Sequence, residues 1–282
     1  MKVLVTGSAG QLGSDLVTIL SQEGYEVYGF DRNQMDITNI ENVRRIIEDV
    51  KPDVVVHAAA YTNVDLAESE RDQAFLVNAI GTRNIAIFAE RVSAKLVYIS
   101  TDYVFNGMAE SPINEFTPTD PINVYGQSKL AGEQFVRDFH NQFFIVRTSW
   151  VFGLHGNNFV KTMLKQAKTK EKITVVADQI GSPTYTVDLS KMIVELIRTE
   201  KYGIYHISNS GKCSWYEFAK AIYDEAGIHV HVVPCTSKEY PRPAKRPAFS
   251  VLDHMNLRLN GFHEPRNWKD ALHDFIHQLG NL

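Results

Sequence analysis

Within its first thirteen residues the chain passes from a short β-branched run, KVLVT, directly into GSAGQLG. Glycines at positions 7, 10 and 13, placed after a strand and at the start of a helical pattern, admit few folds. Without Cβ atoms the chain can turn tightly and bring backbone N–H groups against a pyrophosphate. The helix N-terminus adds a partial positive charge facing the same anion. Three spaced glycines alone are a weak signal, but here an acid also follows the next strand. Asp31 lies eighteen residues beyond Gly13, close to the ~20 expected for a carboxylate that grips an adenosine ribose. Its neighbour Arg32 could instead hold a 2′-phosphate, and the lesser alternative is that Asp31 only caps its own loop. A dinucleotide, NADPH or NADH, is the expected cofactor.

The pattern that follows supports an α/β fold. Val3 to Thr6, Glu26 to Phe30, Val54 to His57, Leu96 to Ser100 and Phe143 to Arg147 read as strands, with amphipathic helical stretches between them. Near-continuous apolar strands such as VVVHAAA suit a parallel sheet covered by helices on both faces. The expectation is a Rossmann-type doubly wound parallel sheet with a smaller C-terminal substrate-binding region. After Trp150 the alternation weakens around Gly153, Gly156, Gly181 and Pro183. Residues 1–150 are therefore assigned to the dinucleotide-binding domain. Residues 151–282 are assigned mainly to the substrate-binding region, with some segments returning to the first domain. The stretch YPRPAKRPAF at 240–249 reads as an extended loop, plausibly a solvated connector.

Composition excludes several other classes. Apolar residues make up 44% and charged residues 22% of the chain, near ordinary globular usage. No apolar stretch approaches a bilayer span, and the apolar N-terminal run enters a glycine turn without the layout of a secretory signal. No membrane role and a cytoplasmic location are expected. A net charge of −4 with scattered basic residues argues against nucleic acid as a partner. Cys213 and Cys235 are too few for a disulfide framework and lack zinc-like spacing, so no metal is assigned and the two thiols receive no role.

Chemistry enters at VYGQSKLAGEQF. Tyr125 and Lys129, four apart on an expected helix, share one face. A phenol titrates near ~10, so an adjacent ammonium that stabilises the phenolate would ease proton transfer near neutrality. A lowering of roughly three units requires about 4 kcal/mol, the contribution expected of a desolvated cation together with an oxidised nicotinamide. Ser100 and Thr101 follow the strand KLVYI and bring a hydroxyl to the carboxyl end of the sheet, where open α/β sheets bind ligands.

TGSAGQLG, STDYVF (100–105) and YGQSK (125–129), in that order and spacing, resemble the extended short-chain dehydrogenase/reductases. AAAYTNVDLAES (58–69), VRTSWVFG (146–153) and RPAKRPAFSVLD (242–253) further resemble the dTDP-4-dehydrorhamnose reductase family, over nearly the whole length. The resemblance implies a catalytic set of Thr101, Tyr125 and Lys129. It implies cofactor contacts at Gly10, Gln11 and Leu12, at Asp31, Asp36 and Ile37, and at Ala59, Ala60, Tyr61 and Thr62, with Tyr125 and Lys129 also reaching the cofactor. Asp102, Tyr103 and Trp150 would face the sugar nucleotide, and Arg246 its phosphates. Phe105 has an equal claim to core filling. Related sugar-nucleotide dehydratases carry an acid after the Thr-Asp pair. Here that position is Tyr103, which favours simple reduction of a dTDP-sugar ketone by NADPH or NADH. A homodimer is compatible with the resemblance. The alternatives are a reductase or epimerase of another nucleotide sugar, or a non-catalytic nucleotide-binding regulatory subunit resembling the β subunit of methionine adenosyltransferase.

Overall fold

The computed structural model describes residues 1–280. In chain order the first part comprises β1 (Lys2–Thr6), α1 (Gln11–Gln22), β2 (Glu26–Phe30), α2 (Ile40–Val50), β3 (Val54–His57), α3 (Val64–Ala67) and α4 (Arg71–Phe75). A π-helical stretch over Leu76–Gly81 leads into α5 (Thr82–Arg91), β4 (Lys95–Thr101), α6 (Val124–Phe139) and β5 (Phe143–Thr148). The remainder supplies β6 (Val151–Phe152), α7 (Phe159–Ala167), β7 (Lys172–Val176), β8 (Ile180–Gly181), β9 (Thr184–Tyr185), α8 (Thr186–Ile197) and β10 (Gly203–His206). It ends with β11 (Cys213–Ser214), α9 (Trp215–Glu225), β12 (His231–Cys235), α10 (Met255–Leu259) and α11 (Trp268–Gly280).

Six parallel strands form one sheet in the order β2–β1–β3–β4–β5–β10. Successive side chains on a strand point to opposite faces, and both faces are covered. Val3, Val5, Val54, Val56, Phe144 and Val146 pack against Leu16 and Leu20 of α1 and Leu189 and Ile193 of α8. Leu4, Val55, Leu96, Tyr98 and Ile145 pack on the other face against Val43 and Ile47 of α2, Ile85 and Phe88 of α5 and Val136 of α6. This double cover is why the strands read as apolar runs rather than alternating ones. Burial contributes roughly 1.5–3 kcal/mol per large side chain, so these two cores hold the frame on which the strand ends sit.

The chain leaves β1 toward β2 and then crosses to β3 on the other side. That reversal opens a crevice beyond the carboxyl ends of β1 and β3, the usual ligand position in such sheets. Beyond Trp150 the chain divides between two cores. α8 and β10 join the sheet, while α7, α9 and α11 enclose Phe152, Val160, Phe218, Ile222, Trp268 and Phe275 beside the parallel β7–β12 ribbon. The 240–249 segment has no helix, is exposed over 240–243 and is pinned from Ala244 onward. Ala244 N–H donates to Asp65 (3.3 Å), and the Lys245 carbonyl accepts from Asn123 (2.8 Å). Its second half is therefore a strap across the molecule, while its first half faces solvent as a connector would.

Candidate active site

A cleft of about 1180 Å³ opens at the β1–β3 crevice and continues past the ends of β4 and β5. Every residue singled out above for cofactor, substrate or chemistry lines it, except Arg246. At its floor Gly7 adopts a φ of +67°, a conformation that favours glycine. A Cβ on Gly13 would stand 2.1 Å from the Gly7 carbonyl oxygen, so the turn closes only because that atom is absent. Gly10 caps α1 without a side-chain hydrogen bond, and the first helical turn contains no acid. Its amide N–H groups are thus left to an anion, the condition a pyrophosphate needs. The Gln11 side chain is occupied elsewhere, donating to the Val151 carbonyl (3.1 Å) and accepting from Asn158 (2.8 Å). Only the Gln11 backbone remains for a phosphate.

At the end of β2, Asp31 Oδ1 accepts the amides of Asn33 (2.8 Å) and Gln34 (3.0 Å). It therefore caps its loop while also facing the cleft beside Arg32. The wall formed by residues 58–62 is fixed from behind. Asn78 accepts from the Tyr61 amide (2.8 Å) and donates to the Tyr61 carbonyl (3.0 Å) and to the Ser128 hydroxyl (2.9 Å).

The chemical groups converge where β4 meets α6. Asn123 caps α6 by accepting from the Gly126 amide (2.7 Å). A Cβ on Gly126 would lie 2.1 Å from the Tyr103 carbonyl oxygen, so glycine lets the helix start press against the loop after β4. Tyr103 meets the Tyr125 ring edge-on, centroids 5.8 Å apart. Burial pushes the Tyr125 phenol up to about 12, partly opposed by the Thr101 hydroxyl beside it. Burial also draws Lys129 down to about 7, against the attraction of Glu133. Lys129 Nζ donates to the Ile99 carbonyl (2.6 Å) and lies 4.2 Å from the Tyr98 ring centroid. The sequence led us to expect Lys129 and an oxidised nicotinamide together to lower the phenol; in the protein by itself burial is the largest influence and holds the phenol raised. Thr101 donates to Asp102 Oδ1 (3.0 Å), while Asp102 Oδ2 is buried without a hydrogen-bond partner among the described residues. Burial raises that carboxyl to about 6.

The comparisons with known proteins give the chain its family. The family model described as the RmlD substrate binding domain matches residues 1–281. The chain belongs to that family. Among relatives, it is 47% identical to the spore coat polysaccharide biosynthesis protein SpsK of Bacillus subtilis, over 98% of this chain and 97% of that one. It is 42% identical to a dTDP-4-dehydrorhamnose reductase of Aggregatibacter actinomycetemcomitans, over 96% of this chain and 97% of the relative. A solved dTDP-4-dehydrorhamnose reductase from Bacillus anthracis, in complex with NADP, superposes with a TM-score of 0.97 at 52% identity, covering 98% of this chain and 99% of that one.

Within this RmlD-family frame two expected site residues have other partners. Arg246 forms a two-pronged ion pair with Asp65 (2.9 and 3.0 Å) and stands behind Tyr103 rather than in the cleft wall. The sequence distance of 181 residues hid that pairing. Trp150 does line the cleft, but one face is covered by Trp215 in a parallel stack at 3.5 Å and 9°. Trp150 sits at φ +47°, and a Cβ on Gly181 would come within 2.5 Å of its ring. Phe105 is in a small core with Val104, Ile113 and Leu252. Trp215, Thr148 and Glu133 were not singled out from sequence. Thr148, opposite Thr101 in the strand register, presents a buried hydroxyl with no partner among the described residues to the same cleft. Glu133 had a readable signal, four residues beyond Lys129 on the same helix. Among the described residues no three His, Cys, Asp or Glu side chains gather to hold a metal, and no helix is long and apolar enough to cross a membrane. Cys213 and Cys235 are free thiols.

Proposed function

We infer that this chain reduces the C4 ketone of dTDP-4-dehydro-L-rhamnose to dTDP-L-rhamnose, using NADPH or NADH, in the cytoplasmic supply of an activated sugar for cell-surface polysaccharide. The observation that carries the reading is the meeting, in one cleft, of an anion-ready glycine turn with Thr101, Tyr125 and Lys129. The glycine turn and the Asp31 loop suit the pyrophosphate and adenosine ribose of a dinucleotide. When bound, the reduced nicotinamide supplies the hydride for the carbonyl carbon.

What remains is the proton. A general acid must be protonated at working pH, and a buried phenol held at about 12 meets that condition. Tyr125 donates its proton to the ketone oxygen as negative charge develops there, and Thr101 aligns the same oxygen. The phenolate left behind needs a cation, and Lys129, one helical turn along, is the group to supply it. The unpaired Asp102 oxygen and the Thr148 hydroxyl suit hydroxyl groups of a sugar, because a buried polar atom without a partner is costly until a ligand satisfies it. Trp150 and Trp215 offer an apolar wall for the deoxysugar or the pyrimidine.

The test is direct. Purified protein supplied with dTDP-4-dehydrorhamnose should consume NADPH, following its absorbance, and yield dTDP-rhamnose. Absence of turnover with this sugar, together with turnover of a UDP- or GDP-linked keto sugar, would reassign the substrate. Tight cofactor binding without turnover of any of them would return the chain to a regulatory role.

A further inference from the structure

Directly beneath the proposed catalytic groups lies an ion pair closed to solvent. Glu133 on α6 and Arg147 on β5 are 0% and 2% exposed. Arg147 Nε donates to Glu133 Oε1 (2.9 Å), and a terminal guanidinium nitrogen donates to Oε2 (2.7 Å). Ser100 on β4 donates its hydroxyl to the same Oε1 at 2.6 Å. The carboxylate is thereby bound on both oxygens, and three elements are fastened through one side chain. Arg147 also faces the imidazole of His206 at 3.4 Å, which burial keeps neutral. A charged pair in so dry a position is not needed for packing, since apolar side chains of similar volume would fill it as well or better.

Resting on the reading above, we propose that Glu133, held by Arg147 and Ser100, is a positioning residue for that reaction. It supplies the negative charge that keeps Lys129 an ammonium, and it clamps the end of β4, which carries Thr101, to the helix that carries Tyr125 and Lys129. Lys129 and Glu133 are four residues apart on α6 and so lie on one face. The groups facing Lys129 are Glu133 and Tyr125 from its own helix, the Tyr98 ring and Ile99 carbonyl from β4, and His57 from β3. His57 is buried and neutral, pushed down to about 3 by desolvation and by Lys129 itself. Glu133 is thus the one anion set against the desolvation of Lys129. Arg147 holds that carboxylate in place through two hydrogen bonds.

The charges give the test opposite signs that a purely structural role would not. In protein labelled with ¹³C at lysine Cε, the NMR titration of Lys129, assigned by its loss in Lys129→Met, reads the ammonium without requiring turnover. Glu133→Gln keeps the shape and removes the charge, and should lower the Lys129 midpoint by about one pH unit, a tenfold change in protonation. Arg147→Met leaves Glu133 without its neutralising partner and should raise the midpoint. Glu133→Asp keeps the charge and shortens its reach, so the midpoint should stay near wild type while kcat falls through the loosened Ser100 contact. The double variant Glu133→Gln, Arg147→Met carries no buried excess charge, and covers the case in which a single variant fails to fold. It should titrate below wild type. A Lys129 midpoint unchanged in the folded Glu133→Gln, Arg147→Met or double variant would overturn the proposal, even if kcat dropped in every one. Wild-type turnover with the dTDP sugar separately tests the reading on which the proposal rests, so the two failures are distinguishable.

Discussion

The opposed displacements of Tyr125 and Lys129 make the pH profile of the reaction predictable. In the unliganded enzyme Tyr125 stands at about 12 and Lys129 at about 7, both moved chiefly by burial. Reduction requires the phenol form of Tyr125, which persists throughout the range in which the protein can be assayed. It also requires the ammonium form of Lys129, which is lost as pH rises through its pKa. The alkaline limb should therefore belong to Lys129. A group titrating near 7 is about nine-tenths protonated at pH 6 and about one-tenth at pH 8, so kcat/KM should fall about tenfold across that interval and again by about tenfold to pH 9. The parameter to measure is kcat/KM for the cofactor at sugar concentrations well below saturation, because it then reports groups of the unliganded enzyme. NADH is the better probe, since it carries no 2′-phosphate to titrate in the same window. Tyr125→Phe should lower the whole profile by about 10² to 10⁴ without moving its midpoint, as expected for loss of a positioned acid. Lys129→Arg holds its charge past pH 12 or so and should flatten the limb at a reduced ceiling. A wild-type profile flat to pH 9, or a limb near 7 that survives Lys129→Arg, would refute this division of labour.

Three further outcomes are expected. Trp150→Ala should raise KM for the sugar nucleotide by a factor corresponding to about 1–3 kcal/mol while leaving cofactor Kd unchanged; unaltered sugar kinetics in the folded variant would assign the Trp150–Trp215 stack to packing alone. Gly13→Ala drives a Cβ to 2.1 Å from the Gly7 carbonyl and should cost about 1–3 kcal/mol in denaturant unfolding together with cofactor affinity, whereas wild-type values for both would show that the turn can relax. Because Asp31 and Arg32 both face the cleft, NADH and NADPH should differ in Kd by less than about a hundredfold, or about 2.7 kcal/mol, and Asp31→Ala should weaken NADH more than NADPH, as direct titration would show.

Much of the site could be read from the chain because its parts are local. The glycine turn, its strand and its helix occupy thirteen consecutive residues. The Tyr125–Lys129 pair is one helical turn, and β2 and β3 end where their apolar runs end. Local spacing says which side chains share a face, and these side chains do line one cleft. It does not say what else packs on that face. A lysine four residues from a tyrosine suggests a lowered phenol, but burial by itself raises Tyr125, and Tyr98, Ile99 and His57 from two neighbouring strands surround Lys129. Arg246 was given as a phosphate contact by the family resemblance, yet it pairs with Asp65, 181 residues away. A bidentate carboxylate is as good a partner for a guanidinium as a phosphate is. Trp150 was legible as an aromatic at a strand end, whereas its stacking partner comes from the N-terminus of α9. Glu133 shows the boundary most clearly. Its place on the catalytic face follows from counting four beyond Lys129, but its fixed position depends on Arg147, which reaches it only because β5 pairs with β4 beside α6. Charge state at this site is set by long-range burial and pairing, so a sequence can nominate the acid and the cation while the assembled sheet decides which protons they hold.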